Sequence, residues 1–188
     1  MARTPSTMVP LGTPMPPFRL DDPRGMTVDS ADLAEAPAVV VAFICNHCPF
    51  VKHVADGLRE LGEWCDGRGV ALIAINSNDV EHYPDDAPDF MVEMADRCMW
   101  GFPYLFDETQ EIARAFGAAC TPDFFLFGPL EEGEHRLVYR GQMDDSRPDN
   151  DKPVTGDDLK SAITALLAGD PIAEPQKPSI GCNIKWRQ

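Results

Sequence analysis

AVVVAFICNHCPFVKH, residues 38–53, sets an unbroken apolar run before two cysteines three apart, with a histidine between them and a proline directly after the second. Residues 38–44 are apolar and rich in β-branched side chains without alternation, which predicts a central strand buried on both faces. Beyond the proline the period changes. Val51, Val54, Leu58, Leu61 and Cys65 recur at spacings of 3, 4, 3 and 4, while Lys52, Asp56, Arg59, Glu60 and Glu63 lie elsewhere on the wheel. A proline is favoured at the first helical position, where its missing N–H costs nothing, so Pro49 predicts a helix start with Cys48 at the N-cap. Cys45 then ends the strand or sits in the loop.

The rest of the chain extends this strand-to-helix pattern. Pro5, Pro10, Pro14, Pro16 and Pro17 exclude a helix over residues 1–17 and predict an extended arm. FRLDDPRGMTVD (18–29) reads as two short strands around a turn with Pro23 and Gly25, followed by a short helix capped by Ser30. VALIAIN (70–76) is a second buried strand. PDDAPDFMVEMADRC (84–98) is a helix with Phe90, Met91, Met94 and Cys98 on one side, and YPDDAPDF (83–90) supplies acidic capping for it. PYLF (103–106) is a short strand, TQEIARAFGAA (109–119) a helix, and DFFLFG with HRLVYRG a hairpin. GDDLKSAITALLAGD (156–170) is a last helix with Leu159, Ile163, Leu166 and Leu167 inward. Alternating elements followed by a hairpin predict an α/β domain over residues 1–170, a mixed central sheet flanked by helices. Residues 171–188 form a Pro-rich, non-helical tail whose Ile184 and Trp186 imply docking.

Composition narrows the function. With 188 residues, 44% of them hydrophobic, the chain can bury a core without disulfide staples. Its 16 Lys+Arg against 31 Asp+Glu give a formal charge of −15, which repels nucleic acid and anionic membrane faces. No apolar run has the length of a signal h-region or a membrane span, so a cytoplasmic protein is expected, with its six cysteines mostly reduced.

A nucleophilic cysteine must ionise near neutral pH. A free thiol has a pKa of about 8.5, which a helix N-terminus or a neighbouring imidazolium can lower to ~3.5–7.5. Cys48 has both the predicted helix start and the adjacent His47, and Cys45 stands at CxxC spacing from it. Two other readings stay open. Cys45, Cys48 and either His47 or His53 could hold zinc, although a second ligand pair of the usual spacing is missing. Alternatively, both cysteines could be small filler at a strand-to-helix junction. Cys65 and Cys98 fall on apolar stripes and read as core thiols, and His53 reads as solvated. GQMDDSRPDND (141–151) lacks the order of a calcium loop and reads as solvated; Arg140 beside it could orient a peroxide or thiolate, but reads first as half of a surface ion pair.

The succession LGTPMPPFRLDD, VVVAFICNHCPF, TPDFFLF and HRLVYRGQMDD resembles the thioredoxin-fold superfamily, specifically its redoxin branch related to the alkyl hydroperoxide reductase/thiol-specific antioxidant proteins. The resemblance covers about residues 10–168 and implies a thioredoxin-like fold with an N-terminal β-hairpin extension. It implies a reactive cysteine heading the helix after the central strand. It also implies a cis-proline loop facing that cysteine, matched here by Thr121-Pro122, with Thr121 offering backbone groups to a bound thiol or peptide. Two departures stand out. Counted from Phe43, the reactive thioredoxin position is Cys48, and the second thioredoxin cysteine would fall on Val51. The peroxiredoxin Pro and Thr/Ser, seven and three residues before their cysteine, are Val41 and Cys45 here.

The expectation is therefore a thiol-dependent oxidoreductase, a disulfide reductase or a thiol peroxidase, with Cys48 as nucleophile and Cys45, Thr121 and Pro122 completing the site. Resolving cysteines rank Cys45, Cys182, Cys120. No organic cofactor and no metal are implied. A thiol/disulfide protein or small thiol would donate electrons, a peroxide is a candidate substrate, and a homo-oligomer is compatible. A non-catalytic thioredoxin-like binding module and a zinc module through Cys45/Cys48 are the alternatives.

Overall fold

The computed structural model describes residues 3–188. In chain order the strands are β1 (Arg3–Pro5), β2 (Arg19–Asp22), β3 (Met26–Asp29), β4 (Val39–Phe43), β5 (Ala71–Asn76), β6 (Tyr104–Phe106), β7 (Cys120–Thr121), β8 (Asp123–Glu131), β9 (Glu134–Gly141) and β10 (Ile180–Asn183). The helices are α1 (Pro49–Asp66), α2 (Pro88–Arg97), α3 (Glu111–Phe116) and α4 (Asp157–Ala168). Seven strands form the central sheet in the order β3-β2-β6-β5-β4-β8-β9. β4 pairs parallel with β5 and antiparallel with β8, so the sheet is mixed.

β4 is buried on both faces, and its alternating side chains build two cores. Val40 and Ala42 point, with Ile44, into a layer formed by α1, α2 and α4, where Val51, Leu58, Met91 and Ile163 meet. Val39, Val41 and Phe43 point the other way, toward Phe18, Phe125 and Phe116 of α3. There the rings of Phe43 and Phe116 meet edge-on at 5.4 Å. This arrangement is a thioredoxin-like fold with the β2–β3 hairpin added at one sheet edge.

Several local expectations change. Ser30 is not the cap. Asp29 accepts from the Ala31 N–H, and the element is a 3₁₀ turn over Ser30–Leu33. Phe90 is 46% exposed, because it is rotated about 100° from its inward neighbour Met91, and Leu167, one residue from the end of α4, is 40% exposed. Among the described residues Arg140 makes no surface ion pair. It is part-buried, and its guanidinium donates to the Gln176 side chain and the Val9 carbonyl.

The tail is structured. β10 lies between β1 and β7 in a separate three-stranded sheet, pairing Cys182 with Thr121 and Asn183 with Cys120. Gly181 makes this approach sterically feasible, since a Cβ there would lie 2.0 Å from the Thr121 carbonyl oxygen. Farther along, the Lys185 N–H donates to Asn78 and its carbonyl accepts from Asp79 and Gln110. Trp186 packs with the second core under the Arg114 guanidinium, 4.3 Å from its ring.

Candidate active site

Cys48 is the N-cap of α1, with Pro49 at the first helical position. α1 therefore directs its unsatisfied N–H groups and positive dipole end toward the sulfur. The Thr121–Pro122 peptide is cis, and Thr121 faces both loop cysteines. Cys45 Sγ lies 3.3 Å from Thr121 Oγ1, and Cys48 Sγ lies 3.2 Å from the Thr121 carbonyl oxygen. β7 holds Thr121 there, and β10, paired to it, brings Cys182 Sγ to 3.0 Å from Cys48 Sγ. Three thiols thus share one site in which Cys45 and Cys48 are fully buried and Cys182 is 1% exposed. No disulfide joins any of the six cysteines.

The electrostatics separate the three thiols. The Cys48 thiol is lowered to about 5, chiefly by a hydrogen bond from Cys45. Burial opposes this, and Cys182, the Val51 N–H and the Thr121 side chain add to the lowering. As a thiol Cys48 donates to the Thr121 carbonyl. Cys45 moves the opposite way, held protonated by its hydrogen bond to Cys48, by burial and by the nearby Asp86 charge. Cys182 is pushed up to about 12 by burial and then by Cys48. One anion is thus shared by three sulfurs and resides on Cys48.

Cys120 does not join them. Its Sγ contacts the Pro122 carbonyl at 3.7 Å, and burial followed by the Asp123 charge pushes its thiol well up. Cys65 is a buried core thiol raised to about 12 by burial, and Cys98 is half-buried on the rim of the first core.

Residues unnoticed in the sequence frame the thiols. Asp86 is fully buried and serves the 45–48 loop, whereas the N-cap of α2 is Ala87. Its Oδ1 accepts from the Asn46 and His47 N–H groups at 2.7 and 3.1 Å. Its Oδ2 accepts from His47 Nδ1 at 2.5 Å and Asn78 Nδ2 at 2.8 Å. Burial pushes the Asp86 carboxyl up, but hydrogen bonds from His47 and Asn78 outweigh it and hold the group below the usual carboxylate range. Tyr104 Oη completes the clamp by donating to Asn46 Oδ1 at 3.0 Å. No local pattern distinguishes Asp86 from Asp85, because the loop residues it holds, His47 and Asn46, are 39 and 40 positions away.

The zinc reading changes in the same light. Cys45, His47 and Asp86 place ligand atoms within 4.8 Å of one another, a different set from the one expected. The Asp86 lone pairs are engaged: both its oxygens already accept two donors each, one of them Nδ1 of His47. The residues fit a hydrogen-bonded clamp and not a tetrahedral ligand set. His53 is not solvated. Its Nε2 lies 2.7 Å from Ser146 Oγ, under the 141–156 loop. That loop is buried at residues 141–144 and at Ser146 and exposed as expected over 148–153; within it, buried Asp144 accepts from the Ser146, Thr155 and Gly156 N–H groups.

A cis-proline segment facing a helix-capping cysteine on a mixed sheet defines a thioredoxin-fold redoxin. A family model described as the AhpC/TSA family matches residues 11–135, more than half of the chain, and the protein belongs to that family. Among curated proteins, the thiol-disulfide oxidoreductase ResA of Halalkalibacterium halodurans is 28% identical over 128 residues, which is 67% of this chain and 66% of the relative's own length. An uncharacterized conserved protein of Geobacillus kaustophilus of known crystal structure is 50% identical and superposes with a TM-score of 0.94, covering 100% of this chain and 97% of that one. A Chlorobium tepidum structure described as a thiol:disulfide interchange protein DsbE shares the fold at 17% identity and TM-score 0.63, covering 84% and 98%.

Proposed function

We propose that the protein is a thiol–disulfide oxidoreductase in which the Cys48 thiolate attacks a disulfide. The observation that carries this reading is a single low-pKa sulfur at a helix N-terminus, between two protonated thiols and opposite a cis-proline segment. Attack joins Cys48 to one substrate sulfur and expels the other as a thiolate. Cys45 then displaces the bound sulfur, leaving a Cys45–Cys48 disulfide and a fully reduced substrate. A thiol protein or small thiol restores the dithiol. The likeness to a relative named as a thiol-disulfide oxidoreductase supports the same chemistry.

The Cys48–Cys182 contact of 3.0 Å favours a second role, with Cys182 able to take the Cys48 sulfur when Cys45 cannot. A peroxidase reading gains less support. The position three before Cys48 holds a thiol in place of a hydroxyl, and Arg140 is committed to Gln176 and Val9. The experiment is paired turnover with one thiol donor, following a model disulfide and hydrogen peroxide in parallel. Disulfide reduction that is lost in Cys48→Ser, with peroxide consumption at the blank rate, is expected. Peroxide turnover without disulfide turnover would overturn the assignment.

A further inference from the structure

Resolution by Cys45 requires its proton to leave a place that water does not reach. All three thiols are sealed, so the proton must first move to a protein group. His47 is the titratable side chain that spans the gap. A ring nitrogen and an Asp86 oxygen both lie within 4.8 Å of Cys45 Sγ, and the ring is 17% exposed. Its outer side lines a cavity of about 140 Å³ with Lys52, Asp85, Phe90, Glu93 and Arg97. Two further contacts fix the ring. Nδ1 is bound to Asp86, and the face stacks on Tyr83 at 5.5 Å and 14°.

We infer that the His47–Asp86 pair accepts the Cys45 proton in the resolving step and passes it to the solvent-filled cavity. This rests on the Cys48–Cys45 reading above. Asp86 Oδ2 engages Nδ1 and leaves Nε2 as the open ring nitrogen, with the Asp86 carboxylate beside the imidazolium that forms in the step. In the step, the Cys45 S–H bond breaks and its proton goes to the pair. The Cys45 sulfur bonds to Cys48 Sγ, and the bond from Cys48 to the substrate sulfur breaks with its electron pair on the leaving thiolate. The separation at rest closes on substrate binding, as is common for general bases whose contacts tighten only in the complex. Asp86 acts through His47 and is a positioning residue.

The test uses 2,2′-dipyridyl disulfide on the reduced full chain carrying Cys98→Ala, which silences the half-exposed thiol, and Cys182→Ser, which leaves Cys45 to resolve. The first thiopyridone released reports attack by Cys48, and the second reports resolution. His47→Asn keeps a donor at the Nδ1 position and removes the basic nitrogen. It should slow the second phase about 10²-fold relative to the first phase of the same trace, the usual contribution of a general base. His47→Ala should be equally slow and recover when imidazole is added. In a Cys45→Ser chain that retains Cys182, His47→Asn should have no effect on the second phase. A parental second phase in His47→Asn, or an equal loss with Cys45 absent, overturns the inference and leaves the role of Cys48 standing. Absence of the first phase in the parent overturns both.

Discussion

Cys182 Sγ rests 3.0 Å from Cys48 Sγ across 134 positions of sequence, placed there by the pairing of β10 with β7. The tail strand occupies the edge that the family resemblance assigns to an incoming peptide, and it presents a cysteine to the nucleophile as a substrate would. This relationship predicts which disulfides can form. Mild oxidation of the parent followed by mass mapping should give Cys45–Cys48, and Cys45→Ser should give Cys48–Cys182. Neither should involve Cys120, Cys65 or Cys98. A Cys48–Cys120 bridge would contradict the placement of Cys120 beside the Pro122 carbonyl.

The same strand shields Cys48. Gly181→Ala would drive a methyl group to 2.0 Å from the Thr121 oxygen, so β10 must lift from β7. A loss of about 1–3 kcal/mol is expected, the usual cost of overpacking, together with faster iodoacetamide labelling of Cys48. Unchanged labelling in a destabilised variant would show that the tail does not control access.

A buried acid predicts an unusual pH dependence. Asp123 is fully buried, its Oδ1 accepts from Ser6 at 2.6 Å, and its Oδ2 has no partner among the described residues. Burial raises its pKa from 3.8 to about 7 against the Ser6 hydrogen bond. Between pH 4 and 7 the folded state therefore holds a proton that the unfolded chain has released, and stability from this group falls as pH rises through that window. The loss amounts to about 4 kcal/mol at 1.36 kcal/mol per unit. Cys48 acts oppositely, because its lowered pKa adds stability as pH rises from about 5 to 9. The difference between parent and Asp123→Asn in chemical denaturation isolates Asp123: the variant should gain relative stability from pH 4 to 7. A constant difference would contradict an ionisable, strained Asp123.

What was legible in the sequence follows from the range of each interaction. The period change from β4 to α1 and the Cys48–Pro49 start are written in neighbouring residues, so the strand, the helix and the cysteine at its start could be read directly. Thr121 and Pro122 were found through resemblance. Asp86 was read as a cap because its acidic neighbours are common before helices, and its partners at Asn46 and His47 come together only in the fold. His53 shows the same limit. The helical wheel placed it away from the core, but the 141–156 loop crosses that side of α1, where a Cβ at Gly57 would lie 2.4 Å from Val154. The role of Gly181 is likewise invisible until Thr121 lies against it.

The central claim is that one negative charge resides on Cys48 near neutral pH. Thiolate absorbance at 240 nm, titrated in the reduced folded chain and in Cys48→Ser, measures this without requiring a reagent to enter the site. The account predicts a one-thiolate step near pH 5 in the parent that is missing from the variant. A parent curve that rises only near pH 9 and coincides with Cys48→Ser below it would contradict the account.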